Sequence, residues 1–131
     1  MIANRSVPSA TVIPVLAYES VAHASEWLCR AFGFKERLRI ADHRAQLVFG
    51  EGAVILTMRD SEGRGAVLVR VADADRHHEH AKESGARILQ PPTNYPYGER
   101  QYTAEDLGGH VWTFSESITD VDPASWGGTL R

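Results

Sequence analysis

The sequence predicts an α+β domain built of two successive strand–helix–three-strand (βαβββ) modules. Two apolar, β-branched runs, TVIPVLAY and GAVLVRVA, each precede a helical stretch. Each helical stretch ends at a glycine, Gly33 and Gly85, 52 residues apart. Strand-like segments separated by turn residues follow both glycines. With 131 residues the chain suffices for one domain with a real core. The modules fall at about 11–59 and 65–116, with a tail over 117–131.

In the first module, Thr11 to Tyr18 reads as a strand because β-branched and apolar residues suit a pleated surface. Ser20 caps a helix from about Val21 to Phe32, whose apolar positions Val21, Ala24, Leu28 and Ala31 recur at helical spacing, widened by Trp27. Gly33 closes it in a left-handed conformation. Strands follow at Phe34 to Ile40, Arg44 to Phe49 and Ala53 to Met58, the last two joined by the tight turn Gly50-Glu51-Gly52. The second module repeats the order. Gly65 to Ala72 is a strand, Asp73 or Asp75 opens a helix to Ser84, and Gly85 closes it. Ala86 to Leu89 is a strand, QPPTNYPYGE a loop, and Arg100 to Glu105 and His110 to Glu116 the last two strands. In the tail, Asp122-Pro123 caps a short turn that docks Trp126.

Composition narrows the function classes. Apolar residues make up 43% and charged residues 24%, which excludes a disordered chain. A net charge of −3 without a Lys/Arg cluster speaks against nucleic acid as a partner. The single cysteine, Cys29, permits no intrachain disulfide. The first twenty residues contain no signal-like apolar run and no spanning helix, so a cytoplasmic protein without membrane contact is expected.

Three stretches carry a family resemblance: SVAHASEWLCRAFGF, VADADRHHEHAKESGARI and AEDLGGHVWTFSE. In that order they resemble the vicinal oxygen chelate superfamily, the glyoxalase, bleomycin-resistance and extradiol-dioxygenase group, over roughly residues 11 to 116. PYGERQY, GHVWTF and the AFGF helix end look most similar to the branch called PhnB-like or bleomycin-resistance-like. The resemblance implies that the modules form one cupped, mixed β-sheet, the glyoxalase/bleomycin resistance/dioxygenase fold. In metal-using members, inward side chains from the first and last strands of each module, usually His or Gln, Glu, His and Glu, bind a divalent ion. Carried onto this chain, those positions fall at Ile13, Ala66 and Thr113, and no carboxylate stands between Ala53 and Arg59. Such residues are not divalent-ion donors. The resemblance therefore implies no metal and no other cofactor here.

Strand alternation places Ile13, Val15, Ala17, Leu68, Arg70, Val111, Thr113 and Ser115 in the cup. It turns Pro14, Leu16, Tyr18, Val67, Val69, Val71, Trp112 and Phe114 towards the helices. Arg70 is the charged exception in an apolar cup and calls for an internal acid or a ligand as partner. Tyr95, Tyr97, Arg100 and Tyr102 are expected at the rim, where aromatic faces suit a flat ligand or a dimer contact. His77, His78 and His80 are expected on the outer helix, His43 and His110 in turns, and Cys29 as an inert core thiol. Asp106 is expected to bond its own turn.

Three functions remain open on the sequence. The first is a metal-free homodimer that binds or sequesters a small organic molecule, with Ile13, Val15, Leu68, Arg70, Tyr97, Arg100, Tyr102 and Thr113 as ligand contacts. Cationic bleomycin fits the modest acidic balance poorly. The second is a lyase, isomerase or dioxygenase-type enzyme. It would use unorthodox metal donors such as His43, His110, Glu105 or Glu116, or metal-free proton transfer by Arg70, Tyr102 or Glu99. The third is a protein whose cup is filled core and which acts through its dimer.

Overall fold

A computed structural model describes residues 2–59, 66–107 and 109–131. The predicted strand start at Gly65 and the Gly108 half of the Gly108-Gly109 corner lie outside those residues. The first module comprises β1 (Val12–Tyr18), α1 (Val21–Phe32), β2 (Lys35–Ile40), β3 (Arg44–Phe49) and β4 (Gly52–Met58). The second comprises β5 (Ala66–Arg70), α2 (Ala74–Glu83), β6 (Arg87–Tyr95), β7 (Glu99–Glu105) and β8 (Val111–Ser117). A 3-10 turn at Pro123–Trp126 and the short β9 (Thr129–Leu130) end the chain.

The strands form one mixed sheet ordered β6-β7-β8-β5-β1-β4-β3-β2-β9. Each module contributes one parallel pair, β1 with β4 and β5 with β8. The modules join edge to edge where β1 runs antiparallel to β5 from Val12↔Val69 to Val15↔Ala66. Both sides of the cup thus come from the same chain. Pro14 is tolerated in this central strand because β4 pairs with β1 only from Val15 onward.

Both helices lie on the sheet face opposite the cup. Ser20 Oγ accepts from the His23 amide, and Gly33, at φ 82°, closes α1 by donating to the Cys29 carbonyl. Under α1, Val21, Ala24 and Leu28 pack on Ala45, Leu47, Val54 and Leu56, with Cys29 and Tyr18 alongside. Under α2, His77 stacks against Phe114 at 4.3 Å between ring centroids and bonds the buried Tyr102 hydroxyl through Nδ1.

Burial, reinforced by the neighbouring His80, holds the His77 pKa below its ordinary value of 6.5. Protonation therefore favours the unfolded chain. Stability is full above pH 6.5, where both states are neutral, and falls as pH drops through 6.5 towards the lower folded value. A melting series from pH 7.5 to 5 should show this fall, and His77→Phe should flatten it. An unchanged slope in the variant would remove His77 from the explanation.

The edges depart from expectation. QPPTNYPYGE is not all loop: β6 continues to Tyr95, with register shifts on both sides of Gln90. Its prolines are admissible because β6 is an edge strand. The tail adds β9 to the opposite edge, pairing Leu38 with Leu130.

Candidate functional site

Register decides which residues share the cup. Ile13 opposes Leu68, Leu68 lies beside Thr113, and Val15 lies beside Ile55. Ile13, Ala53, Ile55 and Leu68 form a buried apolar cluster that is the cup floor. On β7, Gln101 opposes Ser115 and Tyr102 opposes Phe114. Gln101 and Glu99 therefore face the cup, whereas Tyr102 and Arg100 face α2.

Two expected rim residues are thus misplaced. Tyr102 is fully buried beneath α2, and Arg100 reaches the Asp75 carboxylate at 2.8 Å on that same face. Side-chain alternation forces both there once Phe114 points to the helix. Tyr97 does reach the cup. It stands 5.4 Å from Tyr95 and 5.8 Å from Trp126 between ring centroids.

The cup is crossed by the N-terminal segment, a feature without a periodic signal in the sequence. Asn4 Nδ2 donates to Glu99 Oε2 at 2.8 Å and to the Tyr97 carbonyl at 2.8 Å. Gln46 Nε2 donates to the Ser6 carbonyl at 2.8 Å. Arg37 donates to the Arg5 carbonyl at 2.8 Å and to Gln46 Oε1 at 2.6 Å. A bulge between Glu36 and Leu38 adds Arg37 as an extra residue and turns its side chain to this face. The tail locks the segment from outside: Trp126 Nε1 donates to Ser6 Oγ at 2.8 Å, and Val121 N to Asn4 Oδ1 at 3.1 Å.

Arg70 reaches no acid directly among the described residues. Its guanidinium donates to Ser117 Oγ and to the Pro8 carbonyl, and Nε is buried without a partner among the described residues. Ser117 Oγ in turn donates to Glu99 Oε2 at 2.6 Å. Ser115 Oγ donates to Glu99 Oε1 at 2.6 Å. Glu99 is 1% exposed and is the hub of the network.

Between strap and floor lies a cavity of about 270 Å³, lined by Ile55, Leu68, Arg44, Gln46, Tyr97, Gln101 and Trp126 together with Ile40, Ser6 and Val7. A second space of about 430 Å³ lies across the strap, beside Arg37 and Arg70. Of the residues expected at the site, Leu68 and Tyr97 line the first space and Arg70 the second. Ile13 lies in the floor, fully buried, with Val15 packed against that cluster. Thr113 faces Thr103 across β7 and β8, with the hydroxyls 3.3 Å apart. Sequence reasoning missed Arg44, Gln46 and Trp126 as cavity residues. Extending the same alternation to β3 would have found Arg44 and Gln46, but Trp126 arrives through the tail.

Burial holds the Arg44 pKa below its ordinary value, with Tyr97 opposing the shift, and burial raises the Tyr97 pKa to about 12. The phenol therefore stays protonated, and its hydroxyl donates to Gln101 Oε1 at 3.2 Å.

The cup does not fit the metal of the metal-using proteins. Ile13 and Ala66 carry no donor atom, Ile55 and Ala53 stand on β4 in place of a carboxylate, and Thr113 offers one neutral hydroxyl. Among the described residues no three His, Cys, Asp or Glu side chains converge as metal donors. His43 follows β2 in a turn, its amide donating to the Ile40 carbonyl. Asp106 accepts from the His110 amide and from Trp112 Nε1, both at 3.0 Å. Among the described residues no helix is long and apolar enough to cross a membrane.

Residues 11–114 match the family model of the Glyoxalase/Bleomycin resistance protein/Dioxygenase superfamily. A superfamily member from Vibrio splendidus 12B01 is similar in structure, with 16% identity and a TM-score of 0.66 over 82% of this chain and 97% of that one. Methylmalonyl-CoA epimerase from Mycobacterium tuberculosis is similar, with 18% identity and a TM-score of 0.64 over 96% of this chain and 97% of that one. TioX from Micromonospora sp. ML1 is 32% identical over 82% of this chain and 96% of that one, with a TM-score of 0.37. The chain matches no curated protein sequence.

Proposed function

The chain belongs to the glyoxalase/bleomycin resistance protein/dioxygenase superfamily, and from that membership we propose that it is a binding protein that sequesters a small organic molecule in its cup. The reading includes action without a metal, as a homodimer of the bleomycin-resistance-like branch. The observation that carries it is the cavity of about 270 Å³, with Ile55 and Leu68 as floor and Tyr97 and Trp126 as wall. An apolar floor with a few oriented polar groups is the usual make-up of a small-molecule site. Aromatic faces beside it suit a flat ligand.

The enzyme alternative finds less support. Tyr102 faces α2, away from the cup, and both Glu99 oxygens already accept hydrogen bonds.

A thermal-shift screen of flat, conjugated small molecules tests the reading. A compound at one hundred times its Kd should add about 2.7 kcal/mol of stability and quench Trp126 fluorescence. Prior treatment with EDTA should change neither signal. If no compound raises the melting temperature, or if binding vanishes with EDTA, the proposal is wrong.

A further inference from the structure

We propose that the ligand of the cup is a monocarboxylate on a flat apolar body, anchored by Arg44; this rests on the binding function above and names its ligand class. Arg44 opens β3 opposite Ile40 on one side and Thr57 on the other, so its side chain enters the cavity floored by Ile55 and Leu68. Among the described residues its guanidinium makes no hydrogen bond and no ion pair. The other two arginines of the cup are bonded. Arg37 holds Gln46 and a strap carbonyl, and Arg70 holds Ser117 and another strap carbonyl.

The groups around Arg44 are also committed elsewhere. Gln46 uses its carbonyl for Arg37 and its amide for Ser6, and Tyr97 gives its proton to Gln101. Glu99, the buried acid of this face, is engaged by Asn4, Ser115 and Ser117. Arginine does not deprotonate to escape burial. Arg44 is half-buried at the wall of the cavity, and its unpaired guanidinium is available there to an incoming partner.

The chemistry of that partner follows from the fork geometry. A planar guanidinium matches a carboxylate through two parallel N–H···O bonds. One arginine suits a single negative charge. The floor beyond it is aliphatic, and Tyr97 and Trp126 stand at the side, so the remainder of the ligand is apolar and flat.

Isothermal titration with 2-naphthoate and its neutral counterpart 2-naphthamide tests this on the full chain. The acid should bind wild type at least tenfold more tightly than the amide. Arg44→Gln should remove that preference by weakening the acid tenfold or more and leaving the amide unchanged. Arg44→Lys should keep part of the preference. Both variants should melt close to wild type, because among the described residues no hydrogen bond or ion pair of Arg44 is lost.

Equal binding of acid and amide, or an acid affinity unchanged in Arg44→Gln, overturns the carboxylate inference and leaves the binding function standing. A large loss of stability in Arg44→Gln overturns it too, by giving Arg44 a structural role. Failure of both compounds to bind overturns the inference and counts against the binding function with it.

Discussion

Glu99→Ala is expected to destabilise the protein by about 3–5 kcal/mol and to free both chain termini from the sheet. The carboxylate accepts from Asn4, Ser115 and Ser117, all within 2.8 Å and all buried away from water. Alanine leaves those donors unsatisfied, and each buried orphan costs about 1–3 kcal/mol. The damage spreads along two paths. Asn4 ties the strap to the tail through Val121, and Ser117 positions Arg70 against the Pro8 carbonyl. Urea denaturation gives the stability loss, and amide hydrogen exchange at residues 4–8 gives the release. Glu99→Gln keeps one acceptor oxygen and should fall between wild type and Glu99→Ala. A loss below about 1 kcal/mol, or unchanged exchange in the strap, would show that Glu99 is not the hub.

Gly98→Ala is expected to be as damaging, for a steric reason. Gly98 has φ +86°, and a Cβ there would stand 2.4 Å from the Thr119 carbonyl and 2.9 Å from both Asn4 Nδ2 and Val121 Cγ2. The backbone conformation alone costs an L-residue about 1–2 kcal/mol. The clash cannot relax locally, because the Gly98 carbonyl itself accepts from Ile118 at 2.9 Å. Strap and tail must therefore move apart, with a total loss of about 3 kcal/mol or more. Gly50→Ala is the control: φ is +59° and nothing lies within 4 Å. It should lose only the backbone part. Equal denaturation midpoints for the two variants would rule out the close approach at Gly98.

Both substitutions act where sequence reading was weakest. The modules, their order and both helices were legible because each obeys a period. Val21, Ala24 and Leu28 line one side of α1 and are buried together. Alternation also placed Ile13 and Leu68 on one face and Tyr18 and Phe114 on the other. Alternation along a single strand does not say which face is which. Tyr102 and Arg100 were therefore assigned by nearness to a loop, and only the pairing Tyr102↔Phe114 turns them under α2. Arg44 is different: alternation carried onto β3 places it and Gln46 on the face opposite Ala45 and Leu47.

The sequence by itself determined the α+β class, the duplicated βαβββ order and the apolar residues that form the floor of the cup. These follow from residue type and spacing, which are local properties. The tertiary structure decided what fills the cup. Asn4 and Glu99 meet across 95 positions and Trp126 and Ser6 across 120. Strap and tail have no hydrophobic period of their own. Their conformation is set by the donors and acceptors that the sheet leaves for them, because buried polar groups must be paired. Those contacts engage Arg37 and Arg70 and leave the Arg44 guanidinium without a partner among the described residues, a distinction that exists only once the chain has closed on itself.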